Sequence, residues 1–358
     1  MRDVTGLTAV RAARAAAVNG SNLVAARAFA AQQWGATSDV CDVLTKQLTD
    51  TGSIDTGDAT LYNVGAHIVE LIERRSAWGR VNALVPFANV PPGAPVLGLS
   101  MHATATWTPE AAMIADSAQA FVASRISPLK LAVLTVYSEE FLRLPSPRVD
   151  EAIRRDVVRA VSTALDDSMF APDNAGTPDE QPPSVFADNV LHGTFHPAAD
   201  LTTLLESLDA NQLQDVVLVI SPLDVPTCIE QGLNGNGVLT ARDGGELLGY
   251  PCVTSASVPK GSIGYLIPSE ILVVEAGLTL GTSKQSTIAV HDLQRETSQI
   301  VSLWQQNAAS IRAIRYINWQ PLTSNAAGIM LDCIGTQADD DTRNAAPATK
   351  RAKGGSNV

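Results

Sequence analysis

The sequence predicts an α+β protein, and three observations carry that expectation. Residues 147–169 hold the clearest helix: Val149, Ile153, Val157, Val161 and Leu165 recur every four positions, with Val158 and Met169 beside them, a continuous apolar stripe of helical period. Residues 130–137 alternate as a strand. Between about 198 and 291, short helical and strand-like runs follow one another, the pattern of a compact α+β module set into the chain.

The elements follow in order. Residues 7–34 are rich in Ala and Arg at helical spacing, and the Asn19-Gly20 break divides them into two helices with little commitment to a core of their own. Residues 49–57 read as a polar linker. A second helical stretch covers 59–75, where Leu61, Val64, His67, Ile68, Leu71 and Ile72 share one face. Residues 78–95 read as extended, because Pro86, Pro91, Pro92 and Pro95 forbid a regular helix or a central strand. Residues 96–108 and 118–127 look like two strands of a hairpin. Its outgoing arm, Ser100 to Thr108, holds small and polar residues where a buried hairpin would hold Val, Ile and Phe, so the hairpin is expected to project from the body.

After the strand at 130–137 and a short amphipathic turn at 138–142 comes the long helix. Ser146 is its natural N-cap, Pro147 suits N1, and Asp150 and Glu151 place negative charge on the first turn, where exposed N–H groups favour it. At 1.5 Å per residue, 147–169 would run about 34 Å, a structural beam. Residues 171–183 form a loop. Helices at 201–208 and 223–231 then alternate with strands at 215–220, 248–255, 262–267, 271–274 and 286–290. A last strand covers 311–319, with Trp304 shortly before it, and the polar Gly/Ala/Asp-rich stretch 337–358 reads as disordered.

Composition narrows the function classes. With 358 residues, 45% of them hydrophobic, the chain can bury a large core in one or two domains. A formal charge of −12 with only six Lys argues against an electrostatic nucleic-acid binder, which would cluster Lys and Arg against phosphate. Cys41, Cys228, Cys252 and Cys333 are far apart and form no CxxC pair, so they read as buried thiols and not as a zinc site or disulfide framework. No run approaches the roughly 18 to 20 apolar residues of a membrane span, and no signal-peptide core opens the chain; a cytoplasmic origin is expected.

No catalytic constellation stands in the sequence. His192-Gly193-Thr194-Phe195-His196 has metal-ligand spacing only on a helix, and Gly193 and Pro197 argue against one. Gly232-Leu233-Asn234-Gly235-Asn236-Gly237 lacks the Lys-Ser/Thr of a phosphate-binding loop and reads as a surface loop. Gly98-Leu99-Ser100-Met101 is no nucleophile elbow. Asp166-Asp167 and Asp339-Asp340-Asp341 read as solvated charges, Tyr137 as a core residue, and Trp107 as either a contact aromatic or a core one. No cofactor and no metal site is expected, and the protein reads as a non-enzyme.

A resemblance enters at residues 127–147. Lys130, Ala132, Thr135, Ser138, Glu139 and Glu140 lie on a strand that runs into the long helix, which closes on Asp166, Asp167, Met169 and Phe170. This resembles the hallmark region of tailed-bacteriophage major capsid proteins. Downstream, Leu247-Leu248-Gly249-Tyr250-Pro251 and Ile311-Arg312-Ala313-Ile314-Arg315-Tyr316 resemble two further motifs of that family, in the same order, so the likeness spans roughly 78–322.

The resemblance implies the Hong Kong 97-like fold. Its parts would be an N-terminal helical segment or N-arm at 1–77, an extended arm end at 78–95 and an E-loop hairpin at 96–127. A P-domain at 128–197 and 301–336 would hold the spine helix 147–169, followed by an A-domain at 198–300 and a flexible tail at 337–358. The helices within 7–34 would be a remnant scaffold or an interior-facing segment. It also implies a function: self-assembly into pentamers and hexamers of an icosahedral shell around double-stranded DNA, as a virion protein assembled in the cytoplasm of the host bacterium. An acidic wall suits that task, since it does not trap the polymer being packed. The implied partners are copies of the chain itself; separate scaffolding, portal and maturation-protease proteins; optional decoration proteins; and packaged DNA contacted non-specifically, with no membrane. Candidate assembly contacts are Trp107, Glu110, Arg125, Glu139, Arg148, Glu151 and Arg155, each of which also reads as ordinary solvated surface. The hairpin strands contain no Lys, so lysine crosslinking of the shell is not expected. Two rivals stay open: an encapsulin-type bacterial compartment shell, and a small-ligand enzyme binding near 232–237.

Overall fold

The computed structural model describes residues 6–20, 22–51, 58–61, 66–101, 120–206, 208–210, 212–235, 237–292 and 297–335. Its elements begin with α1 (Leu7–Val18), α2 (Leu23–Trp34), α3 (Asp39–Thr51), β1 (Asp58–Leu61), α4 (Ala66–Arg75), α5 (Ala77–Leu84), β2 (Ala88–Val90), β3 (Pro95–Met101), β4 (Ala120–Arg125), β5 (Leu129–Ser138), α6 (Glu139–Arg143) and α7 (Pro147–Phe170). They continue with β6 (Val190–His192), α8 (Pro197–Leu205), β7 (Val217–Ile220), α9 (Val225–Glu230), β8 (Leu239–Thr240), β9 (Gly244–Leu247), β10 (Tyr250–Thr254), β11 (Ile263–Leu266), β12 (Ile271–Ser283), β13 (Thr287–Asp292), β14 (Thr297–Ser302), β15 (Ala308–Pro321) and β16 (Ala327–Leu331). The mixture of helices and sheets is α+β.

These elements form two compact units. The first comprises 1–169, 174–184 and 268–323. Its sheet has the order β1-β12-β15-β5, with β2 also beside β12. β12 and β15 pair antiparallel from Ile271↔Pro321 to Ser283↔Ser310, and a bulge between Glu275 and Leu278 is taken up by Gly277 at φ 85°. The strict alternation of β5 turns Leu131, Val133 and Tyr137 onto the core. Over that face pack the stripe of α7 (Val149, Ile153, Val157, Val158 and Val161) and the Ala-rich side of α1. Alanine at Ala9, Ala12, Ala13, Ala15 and Ala17 keeps α1 slim, so its backbone can approach its neighbours closely.

The second unit comprises 170–173, 185–267 and 324–358. Its sheet runs β6-β16-β11-β7-β10-β9-β8, with β7 parallel to β10, β6 parallel to β16, and the other pairings antiparallel. β7 and β11 are buried on both faces, which explains their unbroken apolar character. Leu248 (φ 53°) and Gly249 (φ 86°) form the two-residue turn that pairs Tyr250 with Leu247. Both central residues of such a turn need positive φ, so the Leu-Leu-Gly-Tyr motif is a hairpin signal with a physical cause.

Several expectations need correction. Residues 77–84 are helical and not extended. Ser76 Oγ accepts from Gly79 N (3.1 Å), and Asp166 accepts from Ala77 N (2.9 Å) and Trp78 N (3.1 Å), so the helix start is capped twice before the first proline at Pro86. The N-terminal segment holds a further helix, α3, after the two expected within 7–34, and the alanines of α1 and α2 are part of the core instead of an uncommitted remnant. Residues 58–61 form a strand, paired with the far end of β12, and not the start of a helix.

The two-domain partition also shifts. Residues 268–323, divided in the sequence reading between A-domain and P-domain, belong to the first unit because β12 and β15 are one ladder; residues 185–197 and 324–335 belong to the second because β6 and β16 pair there. The hairpin β3–β4 is antiparallel, from Pro95↔Arg125 to Leu99↔Phe121. Residues 102–119, with Trp107 and Glu110, and the tail expected at 337–358 lie outside the described residues.

Candidate assembly surface and the clasp behind it

The start of α7 is tied to α1 by a cluster of charged contacts. Arg14, on the buried side of α1, donates through Nη1 to Asp150 Oδ1 (2.5 Å), through Nε to Leu142 O (2.7 Å) and through Nη2 to Leu144 O. Arg11, one turn earlier, donates to Asp150 Oδ2 at 3.0 Å. Both guanidinium groups lie over the ring of Trp34, at 5.7 and 5.6 Å from its centroid. Arg14 and Asp150 are almost wholly buried, at 1% and 0% exposure. One carboxylate thus joins α1 to α7 while the same arginine satisfies two carbonyls at the end of α6 and just beyond it.

Around this clasp, the candidate contacts separate. Glu139 faces inward. It pairs with Lys284 and, at 3.2 Å, with Arg143, and its side chain is 16% exposed. Lys284 also donates to Val18 O (2.8 Å), the C-terminal residue of α1, and burial lowers its pKa. Arg148, Glu151 and Arg155 do share one outward side of α7. Glu151 meets Arg154 at 2.6 Å and Arg155 at 3.9 Å, and the Arg155 side chain is 73% exposed. Arg125 is exposed at the root of the hairpin. Tyr137, read as core, is half-buried: it stacks on Phe141 and donates to Asp156 Oδ2 (2.9 Å), and burial pushes its hydroxyl up to about 12.

Sequence reasoning missed a second buried arginine. Arg315 on β15 is 0% exposed; its Nε donates to Glu275 (2.9 Å), and its guanidinium lies 4.8 Å from the Trp78 ring centroid. Glu73 Oε1 is 3.7 Å from Nη2. Burial raises the Glu73 carboxyl against the pull of Arg315, and Glu275 and Glu70 add to the rise. The available signals were Arg11 and Arg14 on an otherwise Ala-lined helix face, and Arg315 at an inward position of an alternating strand.

The second unit shows no reaction centre among its described residues. His192 meets Asp332 at 3.3 Å in the open, while Asp200 caps the next turn, accepting from Thr194 N, Thr194 Oγ1 and His196 N. Cys228, Cys252 and Cys333 are buried, and burial pushes the thiols of Cys228 and Cys333 up to about 12, which keeps them protonated and unreactive. No described group of His, Cys, Asp or Glu could hold a metal ion, and no described helix is long and apolar enough to cross a membrane. Two clefts of about 410 Å³ each lie in the first unit, away from 232–237 in the sequence.

The described residues of the first unit offer a long helix, a hairpin that forms a two-stranded sheet of its own, and outward charge. Comparison with known proteins agrees. The Phage capsid family matches residues 64–330, three quarters of the chain, and the chain belongs to that family. It is a structural protein of the phage capsid, its place is the virion, and the family match favours this over a bacterial compartment shell. The capsid polyprotein of Pseudomonas phage PAJU2 is 25% identical over 302 residues, 76% of this chain; the chain spans 44% of that relative's length. Among solved structures, Microbacterium phage Oxtober96 aligns with 14% identity over 70% of this chain and 90% of the other, TM-score 0.49. Gordonia phage Cozz aligns with 14% identity over 72% and 86%, TM-score 0.47.

Proposed function

We propose that this protein is the major subunit of a tailed-phage head, with the Hong Kong 97-like fold, assembling as pentamers and hexamers into an icosahedral shell around double-stranded DNA. The family match across 64–330 carries this reading, since it takes in the hairpin, α7 and the sheets of both units. Assembly takes place in the cytoplasm of the host bacterium, with scaffolding, portal and maturation protease as separate proteins, decoration proteins as optional additions, and DNA contacted non-specifically. The β3–β4 hairpin supports the projecting E-loop role: it forms a two-stranded sheet of its own, a structure marginal in water unless something packs on it. Of the contact candidates, Arg125, Arg148, Glu151 and Arg155 face outward and suit pairing between subunits, whereas Glu139 supports the subunit from within.

The test is negative-stain electron microscopy of the recombinant protein after size-exclusion chromatography, with scaffold supplied if capsomers elute. Closed shells, or rings of five and six, are expected. A monodisperse monomer or dimer even with scaffold would overturn the reading.

A further inference from the structure

The outward side of α7 and the loop anchored to its end carry opposite charge. Arg148, Arg155 and Arg159 recur at i, i+7 and i+11, so they share one face, and all three are exposed. They span roughly 16 Å at 1.5 Å per residue. Of the acids nearest in sequence, Asp150 is held by Arg14 and Arg11 and Asp156 receives the Tyr137 hydroxyl, while Glu151 is shared between Arg154 at 2.6 Å and Arg155 at 3.9 Å. The stripe is therefore locally positive on a chain whose formal charge is −12.

At the other end of the beam, residues 177–181 close a tight turn in which Thr177 and Gln181 exchange backbone hydrogen bonds of 2.8 and 3.0 Å. Asn174 ties the loop to α7 through Ser168 O (2.7 Å). The tip presents Asp179, at φ 63°, and Glu180, both exposed and neither in an ion pair among the described residues. One compact unit thus displays a stripe of three arginines that shares a single acid, Glu151, and an acidic tip with no ion pair among the described residues.

A surface of this kind is complementary to itself head to tail. We propose that the Arg148–Arg155–Arg159 stripe of one copy docks against the Asp179–Glu180 tip of a neighbouring copy. The contact is heterologous, the type that closes into rings, and it rests on the shell reading above. Arginine suits it, because the planar fork grips carboxylates in two directions. Each exposed pair is weak alone, so repetition around a ring and steering of the encounter supply the effect.

The test reverses the charges of the stripe and, separately, neutralises Asp179 and reverses Glu180 at the tip. One variant carries Arg148→Glu, Arg155→Glu and Arg159→Glu; a second carries Asp179→Asn and Glu180→Lys, Asn being chosen because it tolerates positive φ. A third chain carries all five changes. The readout is the fraction of protein in shells or rings at low and high salt, with thermal melting to show that each variant folds. Each one-sided variant is expected to lose assembly by about tenfold at low salt, and the five-fold variant to recover most of it. Equal assembly by wild type and the one-sided variants sinks the proposal, as does a five-fold variant no better than its parents. Normal assembly with lost retention of duplex DNA would reassign the stripe to nucleic acid. A wild type that forms neither rings nor shells fails at the earlier step, the shell reading itself.

Discussion

Asp150 and Glu151 are neighbours in the first turn of α7, and the fold treats them oppositely. Asp150 is sealed beneath α1 and bound by two arginines; Glu151 stands at the surface, within reach of Arg154 and Arg155. Both satisfy the preference for acid at a helix start. Only one of them joins two helices. The difference shows that the sign of a charge and its place on a helix say little about its weight, which depends on whether water is excluded around the pair.

The largest expected effect breaks the buried side. Asp150→Ala leaves Arg14 charged and without its acid in the core, and should cost on the order of 3–5 kcal/mol of stability in denaturant unfolding. The same experiment sharpens the comparison through Arg14→Met with Asp150→Leu. Removing both charges together should recover much of that loss, although Leu142 O and Leu144 O then lose their donor. A result in which the double change is as damaging as Asp150→Ala would mean that the carbonyl contacts outweigh the ion pair.

Asp166 lies between the two extremes. It caps α5, and burial pushes its carboxyl up to about 6, over the opposing pull of Ala77 N–H, Trp78 N–H and Arg80. A raised value means that the folded chain holds this proton more tightly than the unfolded chain. The stability it confers is therefore full below about pH 4 and is lost as pH rises through 6. Asp166→Asn should weaken the cap by about 1 kcal/mol. It should also lack that pH slope, so its melting temperature relative to wild type rises between pH 4 and 7. A constant difference across that range would show that the carboxylate is ionised throughout. The smallest effect is at the surface: Glu151→Ala should change stability by less than about 1 kcal/mol, and a larger loss would mean that its pairing with Arg154 and Arg155 is structural.

Legibility followed the same divide. The long helix was readable because its stripe is local and repeats, and its observed bounds, Pro147–Phe170, differ from the expected ones by a single residue. β5 and the two strands of the hairpin were readable from alternation and from weak hydrophobicity. The helix at 77–84 was not, because the prolines after it masked the two caps before it, and one of those caps comes from Asp166, remote in sequence. The bounds of the two units differ from the expected ones for a similar reason: β12 was expected to stop at 274, and its continuation to Ser283 is held by pairing with β15.

By itself, then, the sequence determined the α+β class, the beam, the strands of the hairpin and the family, because each is written in periodicity or in an ordered run of motifs. The tertiary structure alone decided which charges are buried, which arginine meets Asp150, and where 268–323 belongs. Those outcomes depend on residues more than a hundred positions apart becoming neighbours, and on water being excluded where they meet. Neither condition leaves a mark in local sequence.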